Sequence, residues 1–358
     1  RPIVPGDIYR LRTVSDPQLS PDGNWVAYTV SSADSAKDKR DANVWMTSWD
    51  GTETVQGTAT TESETSPRWS PDGRYLAFLS GRQEGRGSQV WLLDRRGGEA
   101  QRITTIKDGV TAMDWSPDSK RLVLVATIDL DTTRADTTRK RPIVIDRYRF
   151  KQDVAGYLTT TRTHLLLFDI ATKQVDTLTS GTADDDAPRW SPDGSRIAFV
   201  RTPTPEPGTG DESDVYVVDA HAGAAPRALT SFPGPDVGPL AWSPDGAWVA
   251  FFRTDESKYY AYQQQKLAIV RGDGSAPVRV LTARFDRPLD SPTFSAQGDA
   301  VLVVVTDDRA QYVARVSLAT GAVERLDQGR HVVNGYSAGS FAGAHVAMLV
   351  STPERPSE

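Results

Sequence analysis

Cysteine is absent from the 358 residues, which removes disulfides, thiolate nucleophiles and cysteine zinc sites at one stroke. Histidine is almost as scarce. The four, His164, His221, His331 and His345, stand far apart and without the spacing of metal ligands. No apolar run approaches the 18 or so residues that would span a bilayer, so no membrane-crossing helix is expected. The charge excess is small and acidic, −6, and lacks the concentrated basic face that nucleic acid requires. The basic run Arg139-Lys140-Arg141 is too short to change that. Nor does any amphipathic helical pattern of about 10 residues interrupt the chain. With 38% apolar and 25% charged residues the composition is that of an ordinary globular protein. The first residue is Arg1 rather than Met, which suggests removal of an upstream segment. That segment is either a secretory signal or an expression tag; the signal is the leading expectation, and with it a periplasmic or secreted location.

What the chain has in abundance is itself. Leu19-Ser-Pro-Asp-Gly23 is followed by Trp-Ser-Pro-Asp-Gly at Trp69–Gly73, Trp190–Gly194 and Trp242–Gly246. Trp115–Ser119 and Phe294–Gly298 are variants, and Ser340–Gly343 keeps the register in degenerate form. Successive Asp slots are 50, 46, 75, 52, 52 and 45 residues apart. Proline presets the first central position of a turn, Asp can bond nearby amides, and Gly accepts positive φ, so the motif joins two antiparallel strands. Apolar runs follow each turn, as in Tyr75-Leu-Ala-Phe-Leu79 and Arg196-Ile-Ala-Phe-Val200. A third strand (Val90-Trp-Leu-Leu-Asp94, Val215-Tyr-Val-Val-Asp219) and a fourth ending in Thr104, Thr179, Thr230 or Thr282 complete the unit. Such spacing predicts an all-β, seven-bladed β-propeller of four-stranded antiparallel blades, the last blade incomplete at the C-terminus. Residues 1–16 are expected as a lead segment and 17–358 as the propeller. The 75-residue gap implies an insertion in blade three at about 128–163, its second part folding back as a hairpin. The last blade would lack strands. Either residues 1–16 supply its pairing or the polypeptide continues.

These blades resemble the N-terminal propeller of the prolyl oligopeptidase family of serine peptidases, in its acylaminoacyl-peptidase and dipeptidyl-peptidase branches. The resemblance rests on the repeat, on the opening Ile8–Gly23 (I-Y-R-L-R-T-V-S-D-P-Q-L-S-P-D-G) and on Arg141–Leu158 (R-P-I-V-I-D-R-Y-R-F-K-Q-D-V-A-G-Y-L) running into His164–Asp169. Tol-type periplasmic propellers share the repeat. The resemblance implies a lid that admits short peptides to an α/β-hydrolase domain, which carries the Ser, Asp and His; this sequence contains no such domain. The implied partners are therefore the hydrolase domain and a short peptide substrate. No cofactor and no metal are implied.

Within the insertion, Arg147 and Arg149 are candidates to grip a substrate carboxylate, with Tyr148 stacking on the peptide. Asp146 and Lys151 accompany them, and an exposed hairpin of alternating charge is the plainer reading. No pair of acids matches the family's clamp for a free N-terminus; Asp211-Glu212 is expected in a solvated loop. Gly335-Tyr-Ser-Ala-Gly339 formally matches a nucleophile elbow, but no Asp follows Ser337 and the register places it on an inner strand, so no catalytic residue is assigned. Asp184-Asp185-Asp186 is expected as a solvated loop rather than a calcium site. Tyr259-Tyr260-Ala261-Tyr262 is expected at a half-buried strand edge. The leading expectation is a non-catalytic gating and docking propeller with a face rich in exposed apolar groups; a free-standing interaction scaffold is the alternative.

Overall fold

A computed structural model describes residues 4–36, 38–82, 87–130, 145, 150–153, 156–157, 160–203, 212–254, 264–338 and 345–357. The Ser-Pro-Asp-Gly turns explain its geometry. In each, the Gly amide donates to the Ser carbonyl (2.8–2.9 Å) and the Gly sits at positive φ, 69° for Gly73 and Gly194. The Ser hydroxyl donates to the Asp carboxylate and accepts the amide five residues on, as with Ser191, Asp193 and Arg196 at 2.6 and 2.9 Å. Ser119 holds the Gly slot of blade three at φ 60°, and its hydroxyl accepts the Asp72 amide of the neighbouring blade at 3.0 Å.

The strands leaving these turns form antiparallel sheets in simple order. Blade one comprises Arg12–Leu19, Trp25–Asp34, Lys39–Ser48 and Thr54–Gln56. Blades two to five repeat the pattern from first strands Glu64–Trp69, Val110–Trp115, Asp184–Trp190 and Asp236–Trp242. The first strand thus begins at Arg12, inside the segment expected as a lead, which is otherwise a short 3₁₀ turn at Pro5–Arg10. Second and third strands are covered on both faces by the adjoining blades. Leu76, Ala77 and Phe78 are fully buried for that reason, as are Val249, Ala250 and Phe251. The inner, first strand is an edge. A bulge with positive φ at Asp16, Ser66, Ala187 and Ser291, each followed by Pro, breaks its pairing and removes a donor.

The fourth-strand threonines close each blade. Where the outer strand departs, the hydroxyl of Thr58, Thr104, Thr179, Thr230 or Thr282 takes the third-strand amide of Val44, Val90, Leu165, Val215 or Leu267, every one at 2.9 Å. A buried amide would otherwise stand unpaired. In blade six Asp327 takes the same role toward Val313.

There are six blades, not the seven expected. The sixth sheet contains Leu289–Phe294, Ala300–Asp307, Ala310–Ser317 and Val323–Arg325, together with Val332–Ala338 and Val346–Ser351. The last two strands were expected as an incomplete blade of their own. Instead they join the sixth sheet through a parallel pairing of Gln311 with Val332. The physical reason is that two strands cannot bury both faces unaided. Val333 packs on Val304 and Val313, and the Tyr336 hydroxyl reaches the carbonyls of Ser291 (2.6 Å) and Leu302 (3.0 Å).

The turns also contribute to acid stability. Hydrogen bonds from Ser191, then Ser195, hold the Asp193 carboxyl down at about 2, and Ser243 with Ala247 lowers Asp245 in the same way. A carboxylate with a depressed pKa in the fold stabilises it above the unfolded value, and that contribution is lost as pH falls through the folded value. Unfolding midpoints in urea should therefore drop between about pH 4 and pH 2. Asp193→Asn should lower stability at pH 7 and flatten that slope; an unchanged slope would contradict the assignment.

Candidate functional site

Antiparallel register divides the propeller into two faces. One carries the Ser-Pro-Asp-Gly turns. The other carries the start of each first strand, the end of each second and the start of each third, as Arg12↔Ser32↔Asp41 and Asp129↔Thr161 show. The blade-three insertion leaves from this second face. Its described part contains a short hairpin, Lys151↔Tyr157 and Gln152↔Gly156, in agreement with the expected fold-back. Phe150 stacks on Tyr157 at 6.2 Å, and the Lys151 ammonium lies 5.8 Å from the Tyr157 ring. Leu130, Ile145, Phe150 and Tyr157 are exposed, and so are Val4, Ile8, Tyr9 and Leu11 of the lead. Arg147, Tyr148 and Arg149 lie outside the described residues, as does the Tyr259–Tyr262 run.

On this face Leu11, Arg12 and Thr13 share a pocket of about 580 Å³ with Asn334 and Ser351–Ser357. Asn334 donates to Ser351 (3.0 Å) and Ser357 (2.9 Å). These bonds tie the tail to the last strand pair, which lies beside the first strand.

Beneath the face, buried acids pair with arginines of their own blade, and Asp185 also reaches the blade before it. Asp185 of blade four accepts two bonds from Arg201 (2.6 and 2.9 Å) and lies 3.4 Å from His164 of blade three. Burial pushes its carboxyl upward, but Arg201, His164 and Thr179 outweigh that and leave it below the ordinary range. Asp236 of blade five is held by Arg253 at 2.5 Å, beside Asp214 of blade four. Burial, reinforced by Asp236, raises Asp214 despite a hydrogen bond from Thr230. Glu64 of blade two meets Arg82 at 3.5 Å and the Thr60 hydroxyl. Each arginine also lies over an aromatic ring: Arg201 over Tyr216 (5.2 Å), Arg253 over Phe232 (4.4 Å), Arg82 over Trp91 (3.8 Å). With its carboxylates and guanidiniums bonded to one another, this layer is a fastening.

The acid run is therefore corrected: Asp185 is fully buried in a first strand, not a solvated loop. The signal was present in the repeat. Glu64 and Asp185 stand five residues before their Trp, and Asp236 six before Trp242. Ser337 lies on the strand Val332–Ala338, as its register predicts, and its hydroxyl accepts the Leu19 amide at 3.0 Å. His345 stacks on Trp49 at 4.1 Å instead, beside the Gly23 carbonyl. The nucleophile-elbow pattern thus has a structural use, joining the last strand pair to blade one. Among the described residues no cluster of three or more His, Asp or Glu is arranged to hold a metal ion.

Comparison with known proteins follows the same line. The TolB β-propeller domain family (PD40) matches residues 11–146 and 151–342. An uncharacterized peptidase of Bacillus subtilis, YuxL, is 28% identical over 221 residues, 60% of this chain and 34% of its own length. The acylaminoacyl peptidase of Pyrococcus horikoshii superposes with a TM-score of 0.74 at 18% identity, over 98% of this chain and 51% of that one. The propeller domain of the Trilobed protease from Pyrococcus furiosus, described as having an open velcro topology, gives 0.67 at 18% identity, over 97% and 94%. The chain spans about a third of YuxL and half of the acylaminoacyl peptidase. The resemblance to peptidase propellers read from the repeat holds.

Two substitutions test this assignment of roles. Arg201→Met should strand Asp185 in the interior and cost about 3–5 kcal/mol in urea unfolding. Ser337→Ala should cost only about 1 kcal/mol, the scale of one hydrogen bond, and leave any ester hydrolysis by the preparation unchanged. An ester-hydrolysing activity abolished by Ser337→Ala would overturn the structural role.

Proposed function

The chain belongs to the TolB β-propeller domain family, and from that premise we propose that it is the non-catalytic gating and docking propeller of a serine peptidase acting on short peptides. One observation carries the reading. Of the exposed large apolar side chains, Val4, Ile8, Tyr9 and Leu11 of the lead and Leu130, Ile145, Phe150 and Tyr157 of the insertion belong to segments that leave the same face. Exposed apolar groups gathered on one face are the usual mark of an interaction surface. That face also holds the first and last described strands together, so a hydrolase domain continuous with this chain would meet it there. The twofold length of the Pyrococcus horikoshii acylaminoacyl peptidase leaves room for such a domain.

Size exclusion belongs to the same proposal. A ring of sheets placed by repeated hydrogen bonds between neighbouring blades would pass an extended peptide through a narrow entrance but not a folded protein. Arg147 and Arg149, with Tyr148, belong to this proposal as the groups that would grip a substrate carboxylate.

The natural full-length protein provides the test. It should hydrolyse peptides of a few residues while sparing a folded protein of the same sequence content, and the present chain alone should hydrolyse neither. Ile8→Asp with Tyr9→Asp should loosen the two domains and relax the size limit, read as cleavage of a folded substrate. Full-length protein that cuts folded and short substrates equally would sink the gating role. A natural polypeptide with no hydrolase domain would favour the scaffold alternative.

A further inference from the structure

The tightest turn on the same face is occupied by the wrong kind of residue. Asp307 pairs with Ala310 in blade six, leaving Asp308-Arg309 as a two-residue hairpin loop with φ of 38° and 63°. Both central positions of such a loop require positive φ, and the second normally takes Gly because a side chain there is strained. Arginine at that position is disfavoured by the backbone. Strain of this kind persists where the side chain has a use.

The loop opens onto a pocket of about 400 Å³, within the range of small-molecule sites. Arg309 lines it from the hairpin, and Arg330 and His331 from the start of the last strand pair. Val332 and Pro353 supply apolar wall, and Asp308 is the one acid lining it among the described residues. Asp308 is highly exposed, as is Arg309, and the two stand 3.7 Å apart. His331 is half-buried and anchored through Nε2 to Asp327 at 3.2 Å, which fixes its ring beside the pocket. Three basic residues from two separate elements therefore line one concave site. The larger pocket containing Arg12 adjoins it, sharing Ser351, Thr352 and Pro353.

We propose that this pocket binds a small carboxylate anion with a hydrocarbon body, such as the C-terminal residue of a short peptide, through Arg309 and Arg330. Arginine suits a carboxylate because its planar fork can donate two parallel hydrogen bonds. The apolar wall favours an organic anion over an inorganic one. The site uses none of Arg147–Arg149 and does not rest on the gating reading, since the propeller alone contains every group it uses.

Calorimetric titration of the chain with N-acetyl-alanyl-alanine, its C-terminal amide and inorganic phosphate tests the site. The acid should bind, with the amide and phosphate each about tenfold weaker or more, the scale of one charge-assisted hydrogen bond. Arg309→Gly removes the charge and relieves the turn. It should weaken the acid about tenfold while leaving the thermal midpoint unchanged or higher, so lost binding cannot be mistaken for misfolding. Arg330→Gln should weaken the acid similarly. Equal affinity for acid and amide, tighter binding of phosphate, no binding of the acid, or full affinity in both variants would each overturn the proposal. Failure here would leave the gating reading standing, because size selection by the full-length protein is measured independently.

Discussion

An indole N–H reaching one blade back sets the geometry of the ring. Trp69 donates to the carbonyl of Gln18, Trp115 to Arg68, Trp190 to Asp114 and Trp242 to Arg189, at 2.9–3.3 Å. Donor and acceptor occupy the same two slots each time, so each blade is placed relative to its predecessor by the same bond. The ring itself fills the wedge between sheets, and an arginine from the second strand of the preceding blade covers it, as Arg121 covers Trp190 at 4.9 Å and Arg196 covers Trp242 at 5.3 Å. Neither end of the chain has the indole. Leu19 and Phe294 stand in the Trp slot, and among the described residues no backbone ladder links blade one to the last strands. Side chains close the seam instead: Ser337 takes the Leu19 amide, His345 stacks on Trp49, and Pro17 packs near Gly335.

The two faces follow from this construction and differ in what they permit. The turn face is saturated by its own short hydrogen bonds between Ser and Asp, and its glycines pack against prolines of the previous blade, as Gly298 does on Pro244. Little variation is possible there. Apart from the two-residue turn at Asp308-Arg309, the described strands of the other face are joined by longer connections, so it accommodates the insertion and the lead. Below it, Asp185, Asp236 and Glu64 fasten the first strands within their own blades through paired arginines, and His164 links Asp185 to the blade before it. A rigid base under a variable rim is the arrangement in which binding groups can change without loss of the fold.

Local chemistry is what the sequence states most directly. The turn residues, the apolar second and third strands and the closing threonines are each specified within a few positions, and all appear in the structure where the repeat puts them. Asp185 was misread because its two acidic neighbours suggested water. Its partners, Arg201 sixteen residues later and His164 of the neighbouring blade, make burial tolerable. Ser337 was placed correctly on a strand by register, yet its bond to Leu19 spans 318 positions and leaves no local trace.

By itself, then, the amino-acid order determined an all-β repeat of antiparallel units punctuated by Ser-Pro-Asp-Gly turns, because those depend on contacts between near neighbours. Tertiary structure decided the number of blades. A strand pair too small to bury its own faces takes the nearest apolar surface available, and Val333 and Tyr336 found it on the sixth sheet. It also decided which charges are fastenings and which stand free at the rim, since burial and pairing are properties of the closed ring and not of any segment within it.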